Sequence, residues 1–357
     1  MPQKILFFEP HFGGSHRAFA KGLATHTPLD ITLLTQPGMH WKWRMRGSAL
    51  YFKENAPDLN AFDTLMVSNM VDVSRLRGFF PKLPKVVVYM HESQLTYPVP
   101  KGASLGVDLV LQEIYSLLSA DRVIFNSKHH MERFLSAIPD FFGRFPDCLP
   151  RGVEKRIGEK SSWIYPGVSL PEAPVEKKGN DCPLLIWNHR WSFDKNFEAT
   201  LHALKVLAGK GHPFHVALLG ERAGGKAEAP FHEALSVLGD RVVHFGFCES
   251  REAYLEWLKA GDVVLSSAIQ ENFGISVVEA MGHGCFPLVP DRLAYPEVVP
   301  ESLHEASLYS SQRDYIDRLE GVLTDGIDPA MPFFLHSHAQ QFSWKRLSTS
   351  YVDALAG

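Results

Sequence analysis

No stretch of this sequence approaches the ~18 consecutive apolar residues that a membrane-spanning helix requires, so a bilayer protein is not expected. Cysteine is scarce and scattered. Cys148, Cys182, Cys248 and Cys285 form neither a CxxC pair nor a disulfide framework, which fits a reducing cytoplasm. There is no Asp-x-Asp and no His/Cys cluster at ligand spacing, so no bound metal is implied. The G-x-G-x-x-G fingerprint is missing, and residues 29–36 offer no acid at the end of a second strand to hold a ribose, which argues against a dinucleotide oxidoreductase. The start lacks the basic, apolar and small-residue succession of a signal peptide, and no internal repeat or low-complexity tract occurs.

What remains is an ordinary soluble composition, 45% hydrophobic and 21% charged, on a chain of 357 residues, too long for one core. The net charge of -4 conceals an asymmetry. Residues 1–170 carry 20 Lys+Arg against 15 Asp+Glu, or +5; the rest carries 36 − 20 = 16 against 40 − 15 = 25, or -9. Only the first half could attract a polyanion by net charge, and ordinary variation between domains explains the difference equally well.

Short β-rich runs at residues 5–8, 31–34, 64–67, 86–89 and 123–125 alternate with helix-like segments, the pattern of parallel strands with crossover helices. It restarts at 184–187, 215–219, 242–245, 263–266 and 286–289. The expected class is α/β, with two doubly wound domains: 1–168, a linker at 169–182, and 183–335. Trp344, Leu347, Tyr351 and Leu355 recur at helical spacing, so a packed terminal helix is expected within 336–357, with the first domain as a surface to pack back on. Residues 38–51 and 141–157, rich in aromatic and basic side chains, interrupt the alternation.

Three places carry chemistry. Glu271-Asn-Phe-Gly-Ile-Ser-Val-Val-Glu279 follows a strand and leads into a helix expected to begin near Gly274, whose free N–H groups suit a diphosphate. Its two carboxylates would flank that anion and accept hydroxyl hydrogen bonds, although such a spacing alone also fits a solvated helix. Arg190 and Lys195 stand just after the strand 184–187, where open α/β sheets bind ligands and two cations could neutralise a departing diphosphate; a solvated turn would read the same. The first strand ends in Glu9-Pro-His11-Phe-Gly13-Gly14-Ser15-His16, a glycine turn into a helix that Ser15 could cap, and His91-Glu92 follows another strand in a ligand-facing position. Trp41-Lys42-Trp43-Arg44-Met45-Arg46 alternates rings with cations, suited to stacking on unpaired bases or to an amphipathic flap.

Together these residues resemble GT-B glycosyltransferases of the family 4 type, with two Rossmann-like domains facing a cleft. Longer stretches, residues 9–16, 46–51, 91–98, 125–127, 187–190 and 290–297, resemble the tRNA-queuosine α-mannosyltransferase family. Ser93 and Gln270 depart from it, where Asn and His are more usual. The resemblance implies a retaining transfer of mannose from GDP-mannose to queuosine in the anticodon of tRNA-Asp, without a metal cofactor. It implies that Arg190 and Lys195 stabilise the diphosphate, Glu271 the hexose, Glu279 the ribose, and Gly13 and Gly14 the diphosphate neighbourhood, with His91 near the reacting carbon. Asn188, Asn272, Phe273 and Gly274 would complete the donor site. His11, His16, Glu92 and Gln94 would join Trp41, Lys42, Trp43, Arg44 and Arg46 on the acceptor side, making tRNA and a sugar nucleotide the expected partners. A related hexosyltransferase with a glycan or small-molecule acceptor, and a non-catalytic tRNA- or sugar-nucleotide-binding module, remain the alternatives.

Overall fold

The alternating apolar runs form two parallel sheets in the computed structural model, which describes residues 3–99, 102, 105–177, 179–221 and 228–357. The first sheet contains β1 (Lys4–Phe12), β2 (Asp30–Pro37), β3 (Thr64–Ser68), β4 (Lys85–Met90), β5 (Arg122–Phe125) and β6 (Ser161–Trp163). Their spatial order is β2-β1-β3-β4-β5-β6. The second contains β7 (Leu184–Trp187), β8 (His215–Leu219), β9 (Val242–Gly246), β10 (Val263–Leu265), β11 (Phe286–Pro290) and β12 (Leu308–Tyr309), in the order β12-β11-β10-β7-β8-β9. Both are all-parallel and covered by helices, which is why Ile5, Leu6, Phe7 and Phe8 are all buried and the strand reads as a continuous apolar run. All ten expected strands are present. β6 and β12 escape the sequence pattern because β6 reads Ser-Ser-Trp, with no apolar run, and β12 is two residues long.

In each sheet the winding reverses once. The reversal lies between β1 and β3 in the first and between β7 and β10 in the second. Crossover helices leave opposite faces on either side of such a point, so a crevice opens beyond the carboxyl ends of those two strands.

Contacts divide the chain into two units, one with the residues up to Gly167 plus Trp344–Gly357, the other with Val168–Ser343. The last helix, Trp344–Ala356, buries Trp344, Tyr351 and Leu355 among Phe19, Leu23 and Ile124 of the first unit. Within the second unit, Lys177 from the stretch 169–182 donates to the carbonyls of Leu258, Lys259 and Gly261, satisfying acceptors left open at the end of the helix Arg251–Ala260.

Two local expectations are corrected. The interruption at 38–51 is mostly a regular helix, Trp41–Asn55, which buries Met45, Ser48, Ala49 and Phe52 on one side. Its apolar stripe is short, and Trp43 on the opposite, exposed side broke the helical period in the string. Ser15 does not cap the helix after β1: that helix runs Gly14–His26, its N-cap is Gly13, and Ser15 lies inside the first turn.

Candidate active site

In the second unit the loops after β7 and β10 meet beside the reversal point. Lys195 Nζ donates to Glu271 Oε2 at 3.0 Å and to the Gln270 carbonyl at 3.0 Å. Burial would push the Glu271 carboxyl up, but the Lys195 charge, His189 and the hydrogen bonds outweigh it, so the carboxylate sits below its ordinary range. Asp194, buried between the two cations, lies 3.6 Å from Lys195 Nζ and 3.9 Å from Arg190 Nη2. Its backbone carbonyl accepts from the amides of Ile269 and Gln270, tying the β7 loop to the β10 loop. Arg190 keeps more than half of its side chain exposed, with its guanidinium available to an anion.

The helix after this loop, Ile275–Gly282, has Gly274 as N-cap at φ 98°, a left-handed turn that glycine tolerates without strain. His189, buried behind it, bridges the Leu265 carbonyl through Nε2 (3.2 Å) and Ser276 Oγ through Nδ1 (3.0 Å). A carbonyl only accepts, so Nε2 carries the proton and Nδ1 accepts from the serine. Burial, reinforced by Lys195, pushes this imidazole down to about 4. It is therefore a neutral spacer holding the helix start against β10.

Glu279 lies in the second turn. Tyr254 donates its hydroxyl to Glu279 Oε2 at 3.0 Å, and Arg251 pairs with the other oxygen. Asn188 donates to the Tyr254 hydroxyl (3.0 Å) and to the Ser276 carbonyl (2.8 Å). Asn272 and Phe273 are buried, Asn272 accepting from Gln270 and Phe273 packing on Phe342, so they face the interior of the unit. Asp194, His189, Arg251 and Tyr254 are the residues sequence reasoning missed. Asp194 and His189 stand next to Lys195 and Arg190 in the sequence, but nothing in the string says which side chains turn inward.

In the first unit, Glu9, His16 and His91 converge at the carboxyl ends of β1 and β4. Glu9 is fully buried; its Oε2 is 3.0 Å from His16 Nδ1 and 3.7 Å from His91 Nε2, and its Oε1 accepts from Ser68 Oγ (3.1 Å) and the His11 amide (2.8 Å). All three groups offer ligand atoms within 4.8 Å of one another, a juxtaposition of residues up to 82 positions apart that no local spacing reveals. The His16 and His91 rings lie 4.0 Å apart, tilted by 32°, and both turn a nitrogen toward the same Glu9 oxygen. Burial would lower His16, but the Glu9 carboxylate, by charge and hydrogen bond, with Glu92 behind it, raises it above its ordinary value. Burial and the neighbouring His16, His130 and His11 hold His91 far below it.

Gly13 serves a close approach of loops: a Cβ on Gly38, after β2, would lie 2.6 Å from the Gly13 Cα. Of the other acceptor-side candidates, His11, Glu92 and Gln94 are half-buried near this cluster in the chain, and the Gln94 amide donates to Glu113. Trp41, Lys42, Trp43 and Arg46 are exposed on their helix; Arg44 is half-buried and donates to the Pro37 carbonyl, while Arg46 pairs with Asp108 at 2.6 Å. None of the described residues forms a helix long and apolar enough to cross a membrane.

Comparison with known proteins accounts for both halves. Residues 4–168 match the family described as tRNA-queuosine alpha-mannosyltransferase N-terminal, and residues 172–331 match glycosyl transferases group 1. A tRNA-queuosine alpha-mannosyltransferase of Drosophila melanogaster is 34% identical over 367 aligned positions, covering 98% of this chain and 95% of its own. Among solved structures, sucrose-phosphate synthase of Thermosynechococcus elongatus aligns with a TM-score of 0.73 at 16% identity, covering 99% of this chain and 98% of its own. HepE of Anabaena in complex with UDP and glucose gives 0.70 at 15%, covering 99% and 100%. At such identities these two speak for the fold alone, which is GT-B. With its N-terminal half matched by that family and its whole length by the fly enzyme, the chain belongs to the tRNA-queuosine α-mannosyltransferase family of glycosyltransferases.

Proposed function

We propose that this chain transfers mannose from GDP-mannose to queuosine in the anticodon of tRNA-Asp, with retention of configuration. The observation that carries the donor half is the gathering of Arg190, Lys195 and Glu271 at the β7/β10 reversal, beside the start of the helix Ile275–Gly282. A diphosphate there meets an exposed guanidinium, a lysine and helix N–H groups, which take up charge as the bond from mannose C1 to the phosphate oxygen breaks. The acceptor hydroxyl oxygen bonds to C1 on the same face, and its proton passes to an oxygen of the departing GDP. Glu271, held ionised by Lys195, orients the hexose, and Glu279 the ribose. Because these groups balance the diphosphate, the reaction needs no metal, and activity should survive EDTA; loss with chelator and return with Mg²⁺ or Mn²⁺ would overturn that account.

The acceptor half rests on the family and on the exposed Trp41, Lys42 and Trp43. An anticodon-loop base is unpaired and can stack on tryptophan without a helix being opened. The deciding experiment incubates the protein with a panel of sugar nucleotides and queuosine-containing tRNA, digests the RNA and weighs the nucleosides. A hexose mass gained on queuosine with GDP-mannose alone is expected; no gain with any donor would reject the proposal, and a gain from another donor would reassign the sugar.

A further inference from the structure

The Glu9, His16 and His91 cluster is built more elaborately than a substrate contact needs. Glu9 and Ser68 stand on the two strands that flank the β1/β3 reversal, His16 on the helix that leaves the glycine turn, and His91 at the end of β4. One buried carboxylate thus ties four elements together. We propose that Glu9 is a positioning residue of the transfer reaction, acting through His16: the buried Glu9–His16 pair fixes the ring of His91 and the glycine turn Gly13–Gly14 beside it. This rests on the proposed mannosyl transfer together with the family resemblance, which puts His91 near the reacting carbon.

The physical reason is the cost of burying a lone carboxylate. Water cannot reach Glu9, so its charge is compensated by the His11 amide, the Ser68 hydroxyl and the His16 imidazolium. Burial disfavours a positive charge on His91, and a protonated His16 ring 4.0 Å away disfavours it further. The charged and titratable groups that bear on the pair are Glu9 and His11 on β1, Glu92 in the loop after β4, and His130 on the helix Lys128–Phe142. Phe19 and Tyr89 set their rings edge-on to His91.

Glu9→Gln keeps the shape and removes the charge. The turnover number kcat at pH 7 should fall about ten- to hundred-fold, the cost of a misplaced reacting group, with the KM for GDP-mannose nearly unchanged. The wild-type rate should decline on the basic side as His16 loses its proton above 6.5, whereas the variant lacks that limb, so the two profiles converge at high pH. His16→Gln should behave alike, and the double variant should lose no more than either single one. Parallel pH profiles, or additive losses, would overturn the proposal. Ring NMR of histidine-labelled protein gives a readout independent of turnover: the His16 titration should move down in Glu9→Gln, which lacks the carboxylate charge that raises it. If the wild type transfers no mannose, the functional reading fails, and an unmoved His16 then overturns the pairing separately. Stoichiometric metal in the wild type, absent from Glu9→Gln, would make the cluster a metal site and overturn it as well.

Discussion

The two units solve the same topological problem with opposite chemistry. Each opens a crevice where its sheet reverses, and each places a buried carboxylate there: Glu9 in the first and Asp194 in the second. In the second unit the counter-charges are Arg190 and Lys195, permanently positive and partly open to solvent. In the first they are histidine and backbone, enclosed and sensitive to pH. Lysine and arginine suit a site that must meet the charge of a diphosphate; a histidine pair suits one that must orient a neutral hydroxyl-bearing substrate. The fold offers the crevice, and the side chains at the strand ends decide what it can hold.

The largest expected effect tests the cationic side. Arg190→Ala and Lys195→Ala should each lower kcat by ~10²–10³, the usual cost of removing one stabiliser of developing negative charge. The exposed Arg190 should leave thermal stability nearly unchanged, while Lys195→Ala strands Glu271 and Asp194 and should lower the melting temperature too. Near-normal turnover in both would dissolve the distinction between the two crevices.

A smaller effect tests the glycine turn of the first unit. Gly38→Ala drives a Cβ onto the Gly13 backbone, which cannot yield as a side chain would, so we expect a loss of about 1–3 kcal/mol in denaturant melts. Wild-type stability would mean that the loops after β1 and β2 are free to separate.

Acid should then divide the units. In the second, His189, His283 and His338 are all held below their ordinary values, chiefly by burial. They take up protons near 6.5 only when unfolded, so stability present above pH 6.5 is lost as pH falls, by up to about 1.4 kcal/mol per pH unit for a fully buried ring such as His189. In the first unit His91, His129 and His130 act in the same direction. There, however, they are opposed by His16, raised by Glu9 against burial, and by Glu113, which burial pushes up to about 8. Both bind protons more tightly folded than unfolded. Hydrogen exchange followed by peptide between pH 7 and 5 should show the second unit losing protection first; equal loss would deny the compensation.

The smallest effect concerns the surface helix Trp41–Asn55. Replacing Lys42, Arg44 and Arg46 with Ala should weaken tRNA binding and flatten its salt dependence by ~0.7–0.9 log units per log unit of salt for each phosphate contact removed. Arg46 contributes least, since Asp108 already pairs with it. GDP-mannose binding should stay unchanged; unaltered tRNA binding would leave the helix as a structural cover.

The sequence by itself determined the two α/β halves, because parallel strands buried on both faces must be written as continuous apolar runs, and those runs are visible locally. It also determined the helix start at Gly274, and it showed the cations after β7 at a strand end, where a solvated turn would read the same. The tertiary structure alone decided which of these groups face one another. Lys195 and Glu271 are 76 positions apart and meet only because β7 and β10 are neighbours. The partnership of Glu9 with His91 likewise waits for β1 and β4 to enter one sheet, and whether Asn272 and Phe273 face inward waits for the core they pack into. Periodicity is a local property of the chain, whereas the charge balance of a buried site is a sum over elements that only folding brings together.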